Sequence, residues 1–333
     1  MLTKTLHDAT LTDLVADATT APSMHNAQPW QFRYERSSRT LTLRADLDRA
    51  MPEADPSTRG LHVGCGAALL NLRVSAAHLG LDCVTTLLPE PSDPPLLAVV
   101  RLGIRADSAR KPADEALAAL HPAIRDRHTS RYPFDERAIP EDIRARFAEA
   151  ARIEGADFAF MTPTHLETVL ELIRDAEGYD RRDPAREAEQ RSWTRDTKTE
   201  VPADGIPDYA FGPRDASDRA TVRDFAGTAV LAGRVRVLFE NRPQLALLST
   251  AGDRPEDWLR AGQALERVLL TATLHHVSSS FATQPLEWPD LRWVLRDPVF
   301  GKGHAQMIIR LGYGPAGPRT PRRPLDQVLT IEP

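Results

Sequence analysis

The sequence predicts an α+β protein made of two fused copies of one unit, the second copy carrying a long insertion. Three observations predict it. Runs with helical spacing alternate with short strand-like runs along the chain. Residues 65–90 lie without gaps on residues 261–286, so that Gly66 meets Gly262, Ala68 meets Ala264, Leu69 meets Leu265, Ala76 meets Ala272 and Pro89 meets Pro285. After each copy comes a strand ending Arg-Leu-Gly, at Arg101-Leu102-Gly103 and at Arg310-Leu311-Gly312. Two Ala/Leu-rich helices could share identities by chance, but the matching order helix, strand, helix, strand argues for a repeat. The first unit takes residues 1–120 and the second 121–333, with the insertion at about 179–219. Fusion lets two copies of one interface diverge, so that one site is kept and the other lost.

Each element has its own warrant. Leu6, Leu11, Leu14, Val15 and Ala18 recur at helical spacing, with Thr12 or Asp13 as a cap. Strands follow at Trp30–Tyr34 and Leu41–Arg44, and a Pro- and Asp-rich connection at 46–59. Leu61 to Leu81 reads as a helix whose Gly64, Gly66, Ala67 and Ala68 permit close packing, and Leu96 to Leu102 as a strand. In the second unit a helix starts at Pro140, with acids in its first turn as the helix dipole favours. A strand is expected at Asp157–Met161, helices at Thr164–Glu177, Ala220–Leu238 and Arg254–Val277, and a last strand at Gln306–Gly312. Residues 179–219, crowded with Arg, Asp, Pro and Gly, read as structureless. Their isolated aromatics Trp193, Tyr209 and Phe211 favour a docking lid over a disordered tract.

Composition narrows the function. A chain of 333 residues with 41% hydrophobic and 27% charged residues is globular, and its formal charge of −5 gives no footprint for nucleic acid. The sequence shows no apolar run of membrane-spanning length and no basic leader, so it reads as cytoplasmic. Positive charge is almost all arginine, Lys4, Lys111, Lys198 and Lys302 being the only lysines. Cys65 and Cys83, separated by about 18 residues expected to be helical, lie beyond disulfide reach. The histidines show no zinc spacing, and no Walker loop, dinucleotide fingerprint or nucleophile elbow occurs.

Two stretches carry candidate chemistry. Thr20 to Phe32 is pinned between Pro22 and Pro29 and holds Ser23, His25, Asn26 and Gln28. Amides on a stiff loop suit a flat heterocycle, since each offers a donor and an acceptor; the alternative is a polar turn whose amides cap their own backbone. Arg127-His128-Thr129-Ser130-Arg131 sets two arginines around hydroxyls, an arrangement that binds a phosphate by charge-assisted hydrogen bonds unless it is a solvated turn. The first unit has no counterpart of it, which predicts a single phosphate site. Arg322 and Arg323 lie in a basic, Pro-rich tail that alone would read as solvated.

Together these motifs resemble the nitroreductase family of flavoproteins, and within it the fused, Acg-type branch. Ala21-Pro22-Ser23-Met24-His25-Asn26-Ala27-Gln28-Pro29-Trp30 looks like that family's Ala-Pro-Ser-x-x-Asn-x-Gln-Pro-Trp signature. Arg127 to Arg131 resembles its Arg-x-Ser-x-Arg phosphate motif, with Thr129 where Ser is usual, and Arg322-Arg323-Pro324-Leu325-Asp326 resembles its C-terminal ending. The resemblance implies a nitroreductase-like fold forming an internal pseudo-dimer, monomeric in solution, with FMN at the shared interface. Arg127, Thr129, Arg131, Arg322 and Arg323 would hold the cofactor from the second half, and Ser23, Met24, His25, Asn26 and Gln28 from the first. Ser279, Ser280, Thr283 and Gln284 stand in the loop where the family places a donor to the flavin N5, although its usual Glu-Gly is missing. The implied reaction is ping-pong, two-electron reduction of nitroaromatics, quinones or similar acceptors by NAD(P)H. The alternative is an FMN-sequestering protein under a closed lid.

Overall fold

A computed structural model describes residues 6–104, 111–199, 201–217, 222–227, 233–296 and 303–333. The chain begins with α1 (Asp8–Ala18), β1 (Trp30–Glu35), β2 (Thr40–Ala45), α2 (Arg59–His78), β3 (Leu81–Leu87), β4 (Leu96–Ile104) and α3 (Pro112–Ala118). There follow α4 (Glu141–Ile153), β5 (Asp157–Phe160), α5 (Pro163–Asp180), α6 (Pro184–Ser192), β6 (Thr194–Arg195), β7 (Ile206–Pro207), β8 (Arg214–Asp215) and β9 (Arg236–Val237). The chain continues with β10 (Gln244–Thr250), α7 (Pro255–Leu274), β11 (Ser278–Phe281), α8 (Pro289–Val294), β12 (His304–Gly312) and β13 (Leu329–Glu332). Among the described residues no helix is long and apolar enough to cross a membrane.

Helices and sheets mix in an α+β architecture with two main sheets. One runs β13-β1-β2-β4-β3 and the other β11-β12-β10-β5. Leaving β13 aside, each sheet places its four strands in the order first, second, fourth, third, all antiparallel, with a helix between its second and third strands. The chain ends by crossing over: β13 pairs in parallel with β1, with Phe32 opposite Leu329. The tail between β12 and β13 is thereby carried onto the first unit.

α2 and α7 pack against each other at the centre, and the sequence accounts for that close approach. A Cβ on Gly66 would lie 2.3 Å from the Leu259 carbonyl oxygen, and one on Gly262 would lie 2.1 Å from that of Val63. Both contacts are backbone, so only glycine lets these helices touch here. α2 is buried around almost its whole circumference, which is why no polar face is visible in its sequence. One core gathers around α1, α2 and the first sheet, with Leu11, Trp30, Phe32 and Leu69; another around α4, α7 and the second sheet, with Phe147, Leu248, Leu265 and Ile309.

Several expectations fail for local reasons. α1 begins at Asp8, with His7 in the N-cap position making no side-chain capping bond, and not at Thr12 or Asp13. α2 ends at His78, and Gly80 at φ 72° turns the chain into β3, so Cys83 lies on a strand; both cysteines are free. β10 went unpredicted because a strand between two neighbours is apolar on both faces and lacks alternation. The described part of 220–238 is not helical: Gly227 and Gly233 take φ of 54° and 82°, and residues 236–237 form β9. The stretch 179–219 is not structureless, since it holds α6, where Asp183 caps two N–H groups, and β6 to β8. Ser278–Phe281, expected in a loop, form β11. His275 and His276 lie beyond the end of α7 rather than within a helix.

Candidate functional site

The loop between α1 and β1 is rigid by construction. His25, Asn26 and Gln28 hold φ of 47°, 56° and 54°, conformations that cost non-glycine residues about 1 kcal/mol or more each unless surrounding bonds enforce them. Those bonds are present. The Gln28 N–H donates to Ser23 Oγ at 2.9 Å. Asn26 Nδ2 donates to the carbonyls of Gly205 and Pro321 at 3.0 and 3.1 Å, and its Oδ1 accepts from Arg322 Nη1 at 3.1 Å. Gln28 Nε2 donates to Ala203 O at 2.9 Å, and its Oε1 accepts from the Arg323 N–H at 2.8 Å. Both amides therefore clasp two distant segments, residues 203–205 and the C-terminal tail.

Beside this loop a cleft opens, lined from both α2 and α7 and holding about 1150 Å³ of empty space counted out to its mouth. α2 contributes Arg59, Gly60, Val63 and Gly64, and α7 contributes Leu265. Of the residues singled out by sequence, Ser23, Met24, His25, Asn26, Arg127, Thr129, Arg131, Ser280, Thr283 and Arg322 line it. Gln28, Ser279, Gln284 and Arg323 do not. Gln28 and Arg323 hold loop to tail, Arg323 adding a bond to Asp46 Oδ2 at 3.2 Å. The Ser279 carbonyl accepts from the Ser130 N–H at 2.8 Å and so fixes the arginine motif against β11. Gln284 is buried and reaches toward Glu177.

Charge in the cleft is lopsided. Arg322 is held by the carbonyls of Thr19 and Thr20 at 2.6 and 2.7 Å. Its pKa is pulled down to about 9 by burial and then by Arg127. Burial, then Arg223, lowers Arg131 to about 10. Burial, then Arg127, Arg319 and Arg322, depresses His128 to about 4. His25 is likewise driven well below its ordinary range by burial, then by Arg223 and Arg131. Cations that lower one another's pKa are short of compensating anions. Glu266 on α7, wholly buried, stands 3.3 Å from Arg127 Nε. Arg127 Nη1 is buried and has no partner, and nor has His25 Nδ1. The site thus offers unpartnered donors in a positive field, which is what a bound anion completes.

Described residues from between β5 and β10 also reach this cleft. Ile206, Arg223 and Phe225 line it. The Phe225 ring stands edge-on to His25 at 5.2 Å and lies under the Arg131 guanidinium at 4.9 Å. Arg223 bonds Glu287 at 2.5 Å, and Asp204 pairs with Arg49 from the first unit. Sequence reasoning missed Arg59, Arg223, Phe225, Glu287 and Met307. Arg223 and Phe225 sat in a stretch read as helix, and one signal stood there: an Arg and a Phe isolated beside Gly227.

The fold is α+β, and its arginine-lined cleft has the chemistry of a small-molecule site. The comparisons with known proteins narrow that class. No protein-family profile matches the chain. The Mycobacterium tuberculosis (H37Rv) protein named "Putative NAD(P)H nitroreductase Rv3131" is 32% identical over 325 residues, 94% of this chain and 88% of that protein. "Uncharacterized protein Rv3127" of the same organism is 30% identical over 331 residues, 96% and 93% of the two chains. The chain belongs to the NAD(P)H nitroreductase family that Rv3131 represents. Among solved structures, an FMN- and NADPH-dependent nitroreductase, NfnB of a Sphingopyxis strain, aligns over 64% of this chain and 99% of its own at 16% identity, with a TM-score of 0.41.

Proposed function

We propose that this protein is an FMN-dependent oxidoreductase that uses NAD(P)H to reduce nitroaromatics, quinones or similar acceptors by two electrons, in a ping-pong cycle at the cleft. The observation that carries the reading is the buried, unpartnered Arg127 Nη1 among Arg131, Arg322 and Thr129, a donor set suited to a phosphate monoester. The residues present fit FMN. Arg127, Thr129, Arg131 and Arg322 would hold its phosphate and polar edge, Ser23, Met24, His25 and Asn26 would flank it from the first unit, and Ser280 and Thr283 from β11 and its exit. Gln28, Ser279, Gln284 and Arg323 would support these residues from behind. Bound FMN would supply the redox chemistry, taking a hydride from NAD(P)H and passing two electrons to the acceptor. The chain's own part is to bind, to orient and, through Phe225 and Ile206, to exclude water.

The two units, 1–120 and 121–333, are read as fused repeats forming a pseudo-dimer, which makes a monomer the expected solution state. The shared strand order and the Gly66–Gly262 contact support this. So does the asymmetry of the loops: residues 19–29 precede β1, whereas only 154–156 precede β5, leaving one site per chain. Within the long connection between β5 and β10, against four residues between β1 and β2, about 179–219 is read as a lid, with Arg223 and Phe225 beyond it also facing the cleft. The free cysteines fit the cytoplasm. Anaerobic mixing of the FMN-loaded protein with NADH or NADPH tests the function. Loss of the yellow flavin absorbance within seconds to minutes is expected; a persistent spectrum with both donors refutes turnover and leaves a flavin-sequestering protein.

A further inference from the structure

A second groove adjoins the cleft. It opens between the N-terminus of α2, α8 and the start of β12, with about 980 Å³ of empty space counted to its mouth. Ala54, Asp55, Arg59 and Glu287 line both spaces and form their common wall. Arg59 is 6% exposed, donates to the Gln306 carbonyl at 2.6 Å, and has no salt-bridge partner among the described residues. Its neighbours are already engaged: Asp55 accepts from the Leu61 N–H, and Glu287 takes Arg223. Asp55, Asp253 and Glu287 favour the charge of Arg59 only from a distance, while burial and Arg292 pull its pKa down to about 10, so a bound anion at this guanidinium would be favourable.

The outer end of the groove has a different chemistry. Trp293 is 65% exposed, and the Arg296 guanidinium lies 4.2 Å from its ring centroid. Arg296 also contacts His304 Nδ1 at 3.2 Å and has no acidic partner among the described residues. Nearby Arg292, by contrast, is held by both oxygens of Asp253 at 2.7 and 2.9 Å. The groove thus runs from an unpaired buried arginine at the common wall to an exposed indole with an unpaired arginine at its mouth. An aromatic plane beside a free guanidinium suits a purine carrying phosphate.

We propose that this groove binds the phosphorylated adenosine end of the dinucleotide donor, with Arg59 at the bridging phosphates and Trp293 and Arg296 at the adenosine. The inference rests on the proposed NAD(P)H-dependent function, since it is the nicotinamide end that enters the cleft. Two sources of phosphate are possible, the bridging pyrophosphate shared by NADH and NADPH and the 2′-phosphate of NADPH alone.

Calorimetric titration of the full chain, with and without FMN, with ADP and with adenosine 2′,5′-bisphosphate tests it independently of turnover. Both unaltered protein and Arg296→Glu and Trp293→Ala variants are titrated. Binding weakened about tenfold or more in Arg296→Glu supports the proposal. Weakening confined to the bisphosphate assigns Arg296 to the 2′-phosphate; equal weakening assigns it to the adenosine and 5′-phosphate that the two probes share. No binding of either probe to the unaltered chain, or equal binding to all three proteins, overturns the proposal. In turnover, the variants should raise KM for NADPH while leaving kcat, FMN affinity and KM for reduced nicotinamide mononucleotide unchanged; a parallel rise for the mononucleotide also overturns it. Absence of flavin reduction by any donor would sink the oxidoreductase reading, while calorimetry would still decide the groove.

Discussion

Replacing Gly262 by alanine should separate the two units at their tightest point. The new methyl carbon would sit 2.1 Å from the Val63 carbonyl oxygen, 2.8 Å from Gly66 Cα and 2.9 Å from the Ala67 nitrogen. All three atoms are backbone in the middle of α2, so no side chain can rotate away. Relieving an overlap of roughly 1 Å requires α2 and α7 to move apart, and overpacking of this kind costs about 1–3 kcal/mol, more where backbone must shift. The expected loss is about 3 kcal/mol or more. Gly178 on α5 is the control: its methyl would meet only Arg182 Nη1 at 3.6 Å, and a helical glycine-to-alanine change should gain roughly 0.5–1 kcal/mol. Urea denaturation followed by circular dichroism measures both, with the slope against urea checked for constancy. Because Gly60, Val63 and Gly64 of α2 and Leu265 of α7 line the cleft, FMN affinity should fall along with stability. A Gly262→Ala protein within 1 kcal/mol of the parent at unchanged slope would refute the close-packed interface.

Three more perturbations read the site. Arg127→Ala should weaken FMN binding by roughly ten- to a hundredfold in a fluorescence titration, whereas Arg125→Ala, whose side chain is 69% exposed, should leave it unchanged. Gln28→Leu leaves the Arg323 N–H and the Ala203 carbonyl unpaired, so it should cost about 2–4 kcal/mol in urea and loosen the tail, seen as faster hydrogen exchange at residues 321–328. Stability should also depend on pH. His128 titrates near 4 in the folded chain, below its ordinary value near 6.5, and His25 is lowered too, so between those limits the unfolded chain binds protons that the folded chain refuses. The histidines' contribution to stability should therefore fall as pH drops from about 6.5 to about 4 and be constant between about 7 and 8; His128→Gln should reduce that slope, and an unchanged slope would remove His128 from the account.

What the sequence disclosed and what it hid follow from where the physical signal lies. The two central glycines were legible because a helix contact that admits only glycine needs one on each side, at Gly66 of α2 and Gly262 of α7. The arginine motif and the tail were legible because charge carried into a protein interior needs a reason, and Arg127, Arg131 and Arg322 do meet in one cleft. The direction of an amide was not legible. Asn26 and Gln28 have the same composition whether they face a ligand or a carbonyl, and the structure turns Gln28 wholly toward Ala203 and Arg323. The cover was hidden for another reason. The apolar run around Arg223 to Leu238 has helical spacing, but Gly227 and Gly233 adopt left-handed φ, and tertiary contacts of Phe225 with His25 and Arg131 outweigh local propensity. A segment whose conformation is set by what it covers leaves little trace in its own periodicity. Arg223 and Phe225, which line the cleft, were accordingly residues the sequence reading did not supply, and the loop Phe225 meets at His25, Ser23 to Asn26, was the one it supplied most fully.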